Sequence, residues 1–462
     1  MNVVTEEWLK SEDSKEYFEL LGFQTVGADP AHLRDCVQAA TWLKEWLGKI
    51  GAEAQLVLPD GAMKGGAPVP VVYAELKGAE GAVTVLVYGH YDVQPPDPLE
   101  LWETPPFEPT VKGDRVFCRG AQDDKGQAFA FLCGLRELAA KGREGLPNVK
   151  IVLDGQEESG SGTLFKLLQD RDFRRKIAAD VMLVSDTNAA AELRPAIVAG
   201  LRGVNHFTVK LAAANRDLHS GEYGGVAPNA AQGMAELMAS LHNPDGSIAV
   251  EGFRDGIEPP TDEELAAAES SAAEDSAIEA DIGVEPCGGA AGMSVVRRVS
   301  FEPTIEINGI HTGYGGPGSK TVIPCEAIAK LSTRLVPGQN PARSFEAVKV
   351  HLKARCPKGM EVSFPEDSGL SSGLRLPLSS PLFRLAQGVL AEMDPRGAAF
   401  IWNGAAHVAS RSAAACRLGP AGGPHPFPER VVFRASVRDG EGMGQAHTLR
   451  ALNACVPQMH VI

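Results

Sequence analysis

The chain has 462 residues, 44% of them hydrophobic, and a formal net charge of −15. That length exceeds one ordinary domain, so two are expected, and the acidity speaks against a nucleic-acid partner. The eight cysteines show no CxxC pair and read as reduced thiols instead of a disulfide framework.

The N-terminus, MNVVTEEWLKSEDSKEYFELL, is charged and amphipathic. It lacks the apolar core of an export signal, and no later segment is apolar enough to span a membrane, so a cytoplasmic protein is expected. Helical spacing predicts helices over 5–21 and 30–50, the second ending at Gly51. Short apolar runs follow: VPVVYAEL, VTVLVY, VKIVLD and DVMLVSD. Between Lys125 and Lys141 the chain reads as a buried helix. Such alternation predicts an α/β domain with a mainly parallel sheet flanked by helices.

The pattern changes near Arg202. VNHFTVKLAA reads as a strand, and Pro228 as the opening of a helix over NAAQGMAELMASL. Strands around TIEIN and CEAIAKLSTRLV, a helix over 342–355 and a strand MEVSF complete a β-α-β-β-α-β order, that of a ferredoxin-like α+β sandwich inserted into the first domain. The acidic stretch EPPTDEELAAAESSAAEDSAIEADIG reads as a solvated helical excursion. A helix over 377–394 returns to the first domain. The expected divisions are 1–200, 201–375 and 376–462. No GxGxxG follows the early strands, and GYGGPGSKT lacks the GK[ST] order of a phosphate loop, which disfavours nucleotide chemistry.

The acids fall at strand ends. VTVLVY runs into His90 and Asp92, VKIVLD into Glu157 and Glu158, DVMLVS into Asp186, and Asp123 and Asp124 precede the buried helix. Ligands of open α/β sheets bind beyond the carboxyl ends of strands. Carboxylates gathered there repel one another unless a cation joins them. Imidazole with carboxylates and no cysteine suits zinc, manganese or cobalt, and the number of acids suits two ions better than one. His90 reads as a ligand, with Asp92 on the same side of the chain to accept its other ring N–H.

YGHYDVQPP, LWETPPFEP, CRGAQDDKG, DGQEESGSG and LVSD, in that order, resemble successive motifs of the di-metal aminoacylase, carnosinase and carboxypeptidase G family of metallopeptidases, its carnosinase-like dipeptidases above all. DLHSGEYGGVAPN and GSKTVIPCEAIAKLSTRLVPGQNP carry the likeness into the inserted domain. The resemblance implies a zinc-peptidase-like catalytic domain with an inserted lid and dimerisation domain. It also implies a homodimer that hydrolyses the amide bond of dipeptides or N-acyl amino acids. By the same resemblance, His90 and Asp186 hold one metal, Asp123 bridges two, and Glu158 holds the other with a C-terminal histidine. Glu157 is the general base and Asp92 orients His90. The pair matching Asp123-Asp124 is often joined by a cis peptide. His219 resembles a histidine that stabilises the oxyanion, in dimers at the neighbouring subunit's site. Arg334 resembles a position that binds a substrate carboxylate.

The C-terminus departs from that pattern. Where relatives carry a Gly-Gly-Ser-Ile-Pro loop and an apolar strand, FIWNGAAHVASRSAAACRLGPAGGPHPFPERVVF has neither the loop nor a convincing strand. His425, Glu429 and Arg430 keep a His-x-x-x-Glu-Arg spacing, which makes His425 the candidate last ligand, ahead of His407. Part of 396–462 reads as translated from a shifted frame, which translating the other two frames of the gene would test. The alternative function is a non-catalytic or impaired binding member of the same fold with a degraded metal site, and metal content separates the two.

Overall fold

The computed structural model describes residues 4–404 except 62–67, 143–145, 185, 187–189, 191–193 and 393. Among these, the chain divides into two units, one formed by the residues up to Ala199 with Leu376–Ile401, the other by Gly200–Arg375 with the residues from Trp402.

The first unit opens with α1 (Glu6–Lys10) and α2 (Glu12–Gly22) in place of one helix over 5–21. Ser11 is extended and accepts from the Ser14 N–H, so it ends one helix by capping the next. A 3-10 turn, Pro30–His32, leads into α3 (Leu33–Lys49), which is closed by Gly51 at φ 85. Then come β1 (Glu53–Val57), β2 (Val71–Leu76), β3 (Thr84–His90), the hairpin β4 (Thr110–Lys112) and β5 (Arg115–Phe117), and α4 (Lys125–Ala140). They are followed by β6 (Asn148–Asp154), a 3-10 turn Glu157–Ser159, α5 (Gly162–Leu167), α6 (Arg171–Lys176), β7 (Val181–Val184) and β8 (Ala196–Leu201).

The main sheet has the order β1-β2-β6-β3-β7. β3 is parallel to both β6 and β7, whereas β1–β2 and β2–β6 are antiparallel. The parallel half is the half that matters for the site, because its three strands end at one edge. Leu43, Trp46 and Leu47 of α3 and Phe129, Leu132 and Leu135 of α4 pack with Val72, Val87 and Ile151 of the strands. Each such side chain contributes about 1.5–3 kcal/mol by leaving water, so the strand ends are anchored on a rigid base.

The second unit contains β9 (Gly203–Ala212), β10 (Leu218–His219), α7 (Ser220–Tyr223), α8 (Ala230–Ala239), α9 (Asp262–Glu269), α10 (Asp275–Ile282) and α11 (Val295–Phe301). Next come β11 (Thr304–Thr312), β12 (Val322–Ile323), β13 (Glu326–Leu335), α12 (Pro341–Ala354), β14 (Glu361–Ser371) and β15 (Leu374–Arg375). The four long strands form an antiparallel sheet of order β11-β13-β9-β14. With α8 after β9 and α12 after β13, this is the βαββαβ sandwich. Alternation along β9 sends Phe207, Val209 and Leu211 against Met234 and Leu237 of α8 and Phe345, Val348 and Leu352 of α12. Pro228 does not open α8. Asn229 caps it, accepting from the Ala231 and Gln232 N–H groups, and the proline stands just outside. The acidic stretch holds α9 and α10, and α9 starts on a Thr261–Glu264 capping box.

The chain ends its described part with α13 (Pro381–Ala391), shorter than the 377–394 expected, and β16 (Ala399–Asn403). β16 corrects the reading that no strand follows the helix. Ala399 and Trp402 are buried, and the strand sits beside β8 in the order β15-β8-β16. A five-residue run between Gly397 and Gly404 carries too little periodicity to announce itself. Its pairing with β8 makes it a strand. No helix among the described residues is long and apolar enough to cross a membrane.

Candidate metal centre

His90 is the last residue of β3 and is buried. Its Nε2 lies 3.1 Å from Asp123 Oδ1 and 3.8 Å from Asp186 Oδ2. Ligand atoms of His90, Asp123 and Glu158 all fall within 4.8 Å of one another. The ends of β3, β6 and β7 and the loop before α4 therefore bring His90, Glu158, Asp186 and Asp123 to one place in the first unit. Asp92 and Glu157 join them through Asp92 Oδ1, which is 3.3 Å from His90 Nδ1 and accepts from the Glu157 N–H at 3.0 Å.

Three local devices hold this geometry. Asp92 is buried, and its two carboxylate oxygens accept from the Glu157 and Glu158 N–H groups at 3.0 and 3.1 Å. His90 Nδ1 is also 3.1 Å from the Asp92 backbone carbonyl, so the ring N–H has two acceptors from one residue. Second, the Asp123–Asp124 peptide is cis. Asp124 stands at the N-terminus of α4 without capping it, and its Oδ2 instead accepts from the His90 N–H at 2.9 Å. Gly89 allows that approach, since a Cβ there would lie 2.8 Å from Asp124 Oδ2. Third, Asp154 at the end of β6 ties the following loop into a ring. Its Oδ1 accepts from the Gln156 N–H and its Oδ2 from the Ser161 hydroxyl, while Gln156 Oε1 accepts from the Thr163 N–H and hydroxyl.

The electrostatics have the sign that a cation would relieve. Burial pushes the Asp124 carboxyl well above its ordinary range, with Asp186 adding to it, and Asp124 Oδ1 is buried without a hydrogen-bond partner. Burial and then the Asp123 charge raise Glu158. For His90, burial acts downward, but the hydrogen bonds to Asp123 and Asp92 outweigh it and hold the imidazole well above its usual value. A proton on His90 thus stands in for part of the positive charge that the acids demand. Lys125, the cation next in sequence, donates its Nζ to the Phe23 carbonyl at 2.6 Å and not to Asp123. One imidazole nitrogen with carboxylate oxygens and no sulfur is a donor set for zinc, manganese or cobalt, so the residues present fit a divalent ion.

Asp154 makes a prediction about the loop. Burial, with Asp92 next, raises its carboxyl from 3.8 to about 6, against the pull of Ser161 and the Gln156 N–H. A carboxyl that binds its proton more tightly when folded adds stability below its unfolded value and loses it as pH rises through the folded one. The window is therefore pH 3.8 to about 6, and the two-unit rise corresponds to roughly 3 kcal/mol. In metal-stripped protein, Asp154→Asn should become more stable relative to the parent by about that order between pH 4 and pH 7. Denaturant unfolding of both proteins at the two pH values reads it directly, and parallel pH curves would contradict it.

His219 and Arg334 belong to the second unit. His219 Nδ1 accepts from the Gly221 N–H at 3.1 Å, capping the turn, and its Nε2 is 3.1 Å from Thr321 Oγ1. The cap fixes the tautomer, because a nitrogen that accepts leaves the proton on Nε2. Arg334 on β13 is half-buried, which lowers its pKa, with the Glu306 charge pulling the other way. His425 and His407 lie outside the described residues, as does the chain beyond Gly404. Gln94, Asp154 and Ser161 escaped the sequence reading. Only Gln94 carried a signal there, sharing the two-residue alternation of His90 and Asp92.

The chain matches the family model "Peptidase family M20/M25/M40" over residues 86–431. It is 32% identical over 297 residues to the human Beta-Ala-His dipeptidase and 32% identical over 289 residues to a Cys-Gly metallodipeptidase of Schizosaccharomyces pombe. Those matches cover 64% and 61% of this chain, and the chain spans only 58% and 60% of the relatives' own lengths. A solved M20 family metallo-carboxypeptidase from Sulfolobus solfataricus superposes with a TM-score of 0.75 at 28% identity, covering 87% of this chain and 88% of that one. Human carnosine dipeptidase 1, at 24% identity and a TM-score of 0.78, covers 97% of this chain and 96% of its own and shares the fold. With three-quarters of its sequence under one family model and its acids gathered at the ends of parallel strands, the chain belongs to peptidase family M20/M25/M40.

Proposed function

We propose that this protein is a metal-dependent hydrolase that cleaves the amide bond of dipeptides or N-acyl amino acids. The observation that carries the reading is the convergence of His90, Asp123 and Glu158, whose ligand atoms lie within 4.8 Å of one another. In this reading His90 and Asp186 would hold one divalent ion, Glu158 and His425 a second, with Asp123 serving both. Zinc is the first choice of metal, with manganese or cobalt as substitutes. When bound, such a pair polarises the scissile carbonyl and makes water acidic near neutral pH.

The protein's own groups do the rest. Glu157 removes a proton from the attacking water and returns it to the leaving amine nitrogen. His219, with its proton on Nε2, would turn that N–H from Thr321 Oγ1 to the oxyanion, in a homodimer at the neighbouring subunit's site. The Arg334 guanidinium presents a planar fork that pairs with a substrate carboxylate through two parallel hydrogen bonds. The described cysteines Cys36, Cys118, Cys133, Cys287, Cys325 and Cys356 are all unpaired, which supports a reducing, cytoplasmic setting.

The test is purified protein supplied with zinc or manganese and assayed on β-alanyl-histidine, cysteinyl-glycine and a set of N-acyl amino acids. Chelation should abolish amine release, and metal should restore it. Protein carrying its full metal content yet inert on every substrate would sink the hydrolase reading and favour a binding role.

A further inference from the structure

β3 ends at His90, and Gln94 stands four residues into the chain that follows. Its Nε2 donates to Glu158 Oε2 at 2.8 Å and to the Glu158 backbone carbonyl at 3.3 Å. Both partners are acceptors only, so the amide NH2, and not its oxygen, faces Glu158. The Glu158 N–H is held from the same segment by Asp92 Oδ2 at 3.1 Å. Residue 158 is thus gripped at its N–H, its carbonyl and its carboxylate by two side chains two positions apart.

We propose that Gln94 is a positioning residue for the metal ion that Glu158 holds. The proposal rests on the di-metal reading given above. Glu158 has reason to swing away. It is half-exposed, and Asp123 repels its charge. A donor on Oε2 fixes the rotation of the carboxylate, leaves its remaining lone pairs for an ion, and damps the repulsion. Residues 90, 92 and 94 follow one another along the end of β3 and the loop after it. That segment therefore carries a ligand of the first ion, the clamp on the Glu157–Glu158 turn, and the support for the ligand of the second ion. The hydrogen bonds of Gln94 among the described residues go to Glu158, so its loss should fall on one ion alone.

The experiment titrates metal-stripped full-length protein with zinc, and separately with cobalt, by calorimetry and by cobalt absorption. Gln94→Leu removes the donor at nearly constant size. Gln94→Glu places an acceptor where the donor stood. Outer partners of metal ligands are worth about 10–100-fold in affinity, so both variants should weaken one binding step by that factor. The other step and the thermal midpoint should stay unchanged, and Glu158→Ala should lose the same step. Two unchanged steps in both variants would overturn the role of Gln94 and leave the di-metal reading standing. Both steps weakening together with a lowered thermal midpoint would also overturn it, in favour of a general structural role. A parent protein that takes up no zinc or cobalt would instead overturn the reading beneath it.

Discussion

Glu157→Gln should abolish turnover while leaving the protein folded and fully loaded with metal. The residue opens the 3-10 turn that follows β6, and its N–H is fixed by Asp92 Oδ1 at 3.0 Å. The amide keeps the size and the backbone anchor of the carboxylate but cannot take up a proton. General-base catalysis is worth about 10²–10⁴ in rate, so kcat should fall by that factor with KM and metal content within about twofold of the parent. The acidic limb of the pH–rate profile should vanish with the base that produces it. A variant that retains more than a tenth of the parent kcat would remove Glu157 from the role of base.

Asp92→Ala should damage stability and site together. The sequence pairs Asp92 with His90, yet in the folded chain it has a second task. Its two oxygens hold the backbone N–H groups of both Glu157 and Glu158. His90 Nδ1 keeps the Asp92 backbone carbonyl at 3.1 Å after the side chain is gone, so the imidazole retains an acceptor. The turn retains none from this residue. Hydrogen bonds to a charged acceptor contribute about 1.5–3 kcal/mol each, so the loss of the two should be about 3–6 kcal/mol. Metal affinity should drop along with it, through Glu158. Asp92→Asn, with one acceptor oxygen left, should recover part of both. Chemical denaturation with metal titration would check this, and full stability in the alanine variant would show that the turn stands without the clamp.

Much of the fold was legible because its signals are local. The apolar runs that became β2, β3, β6 and β7 are rich in β-branched residues bounded by turn residues, and α4 lacks any β-branched residue along its length. Failures came where a few residues decide against a pattern. Ser11 split one amphipathic stretch into two helices by capping the second. Asn229 took the capping position that Pro228 was expected to mark. β16 owes its existence to a neighbouring strand and not to its own composition. The sheet's antiparallel half was hidden as well, since strand direction depends on pairing and leaves little trace in the run itself.

The site divides along the same line. Which residue types stand at which strand ends is written in the chain, and parallel strands finish at one edge, so His90, Glu158 and Asp186 were bound to approach each other; that Asp123, before α4, joins them is decided by the fold. The chain could not show who supports whom. That Asp124 turns from capping α4 to the His90 N–H, that Asp92 grips two backbone amides 65 and 66 residues away, and that Gln94 steadies Glu158 are consequences of distances across the sheet edge. Residue identity fixes what chemistry a side chain can perform. Packing alone decides which of its lone pairs and protons are already taken.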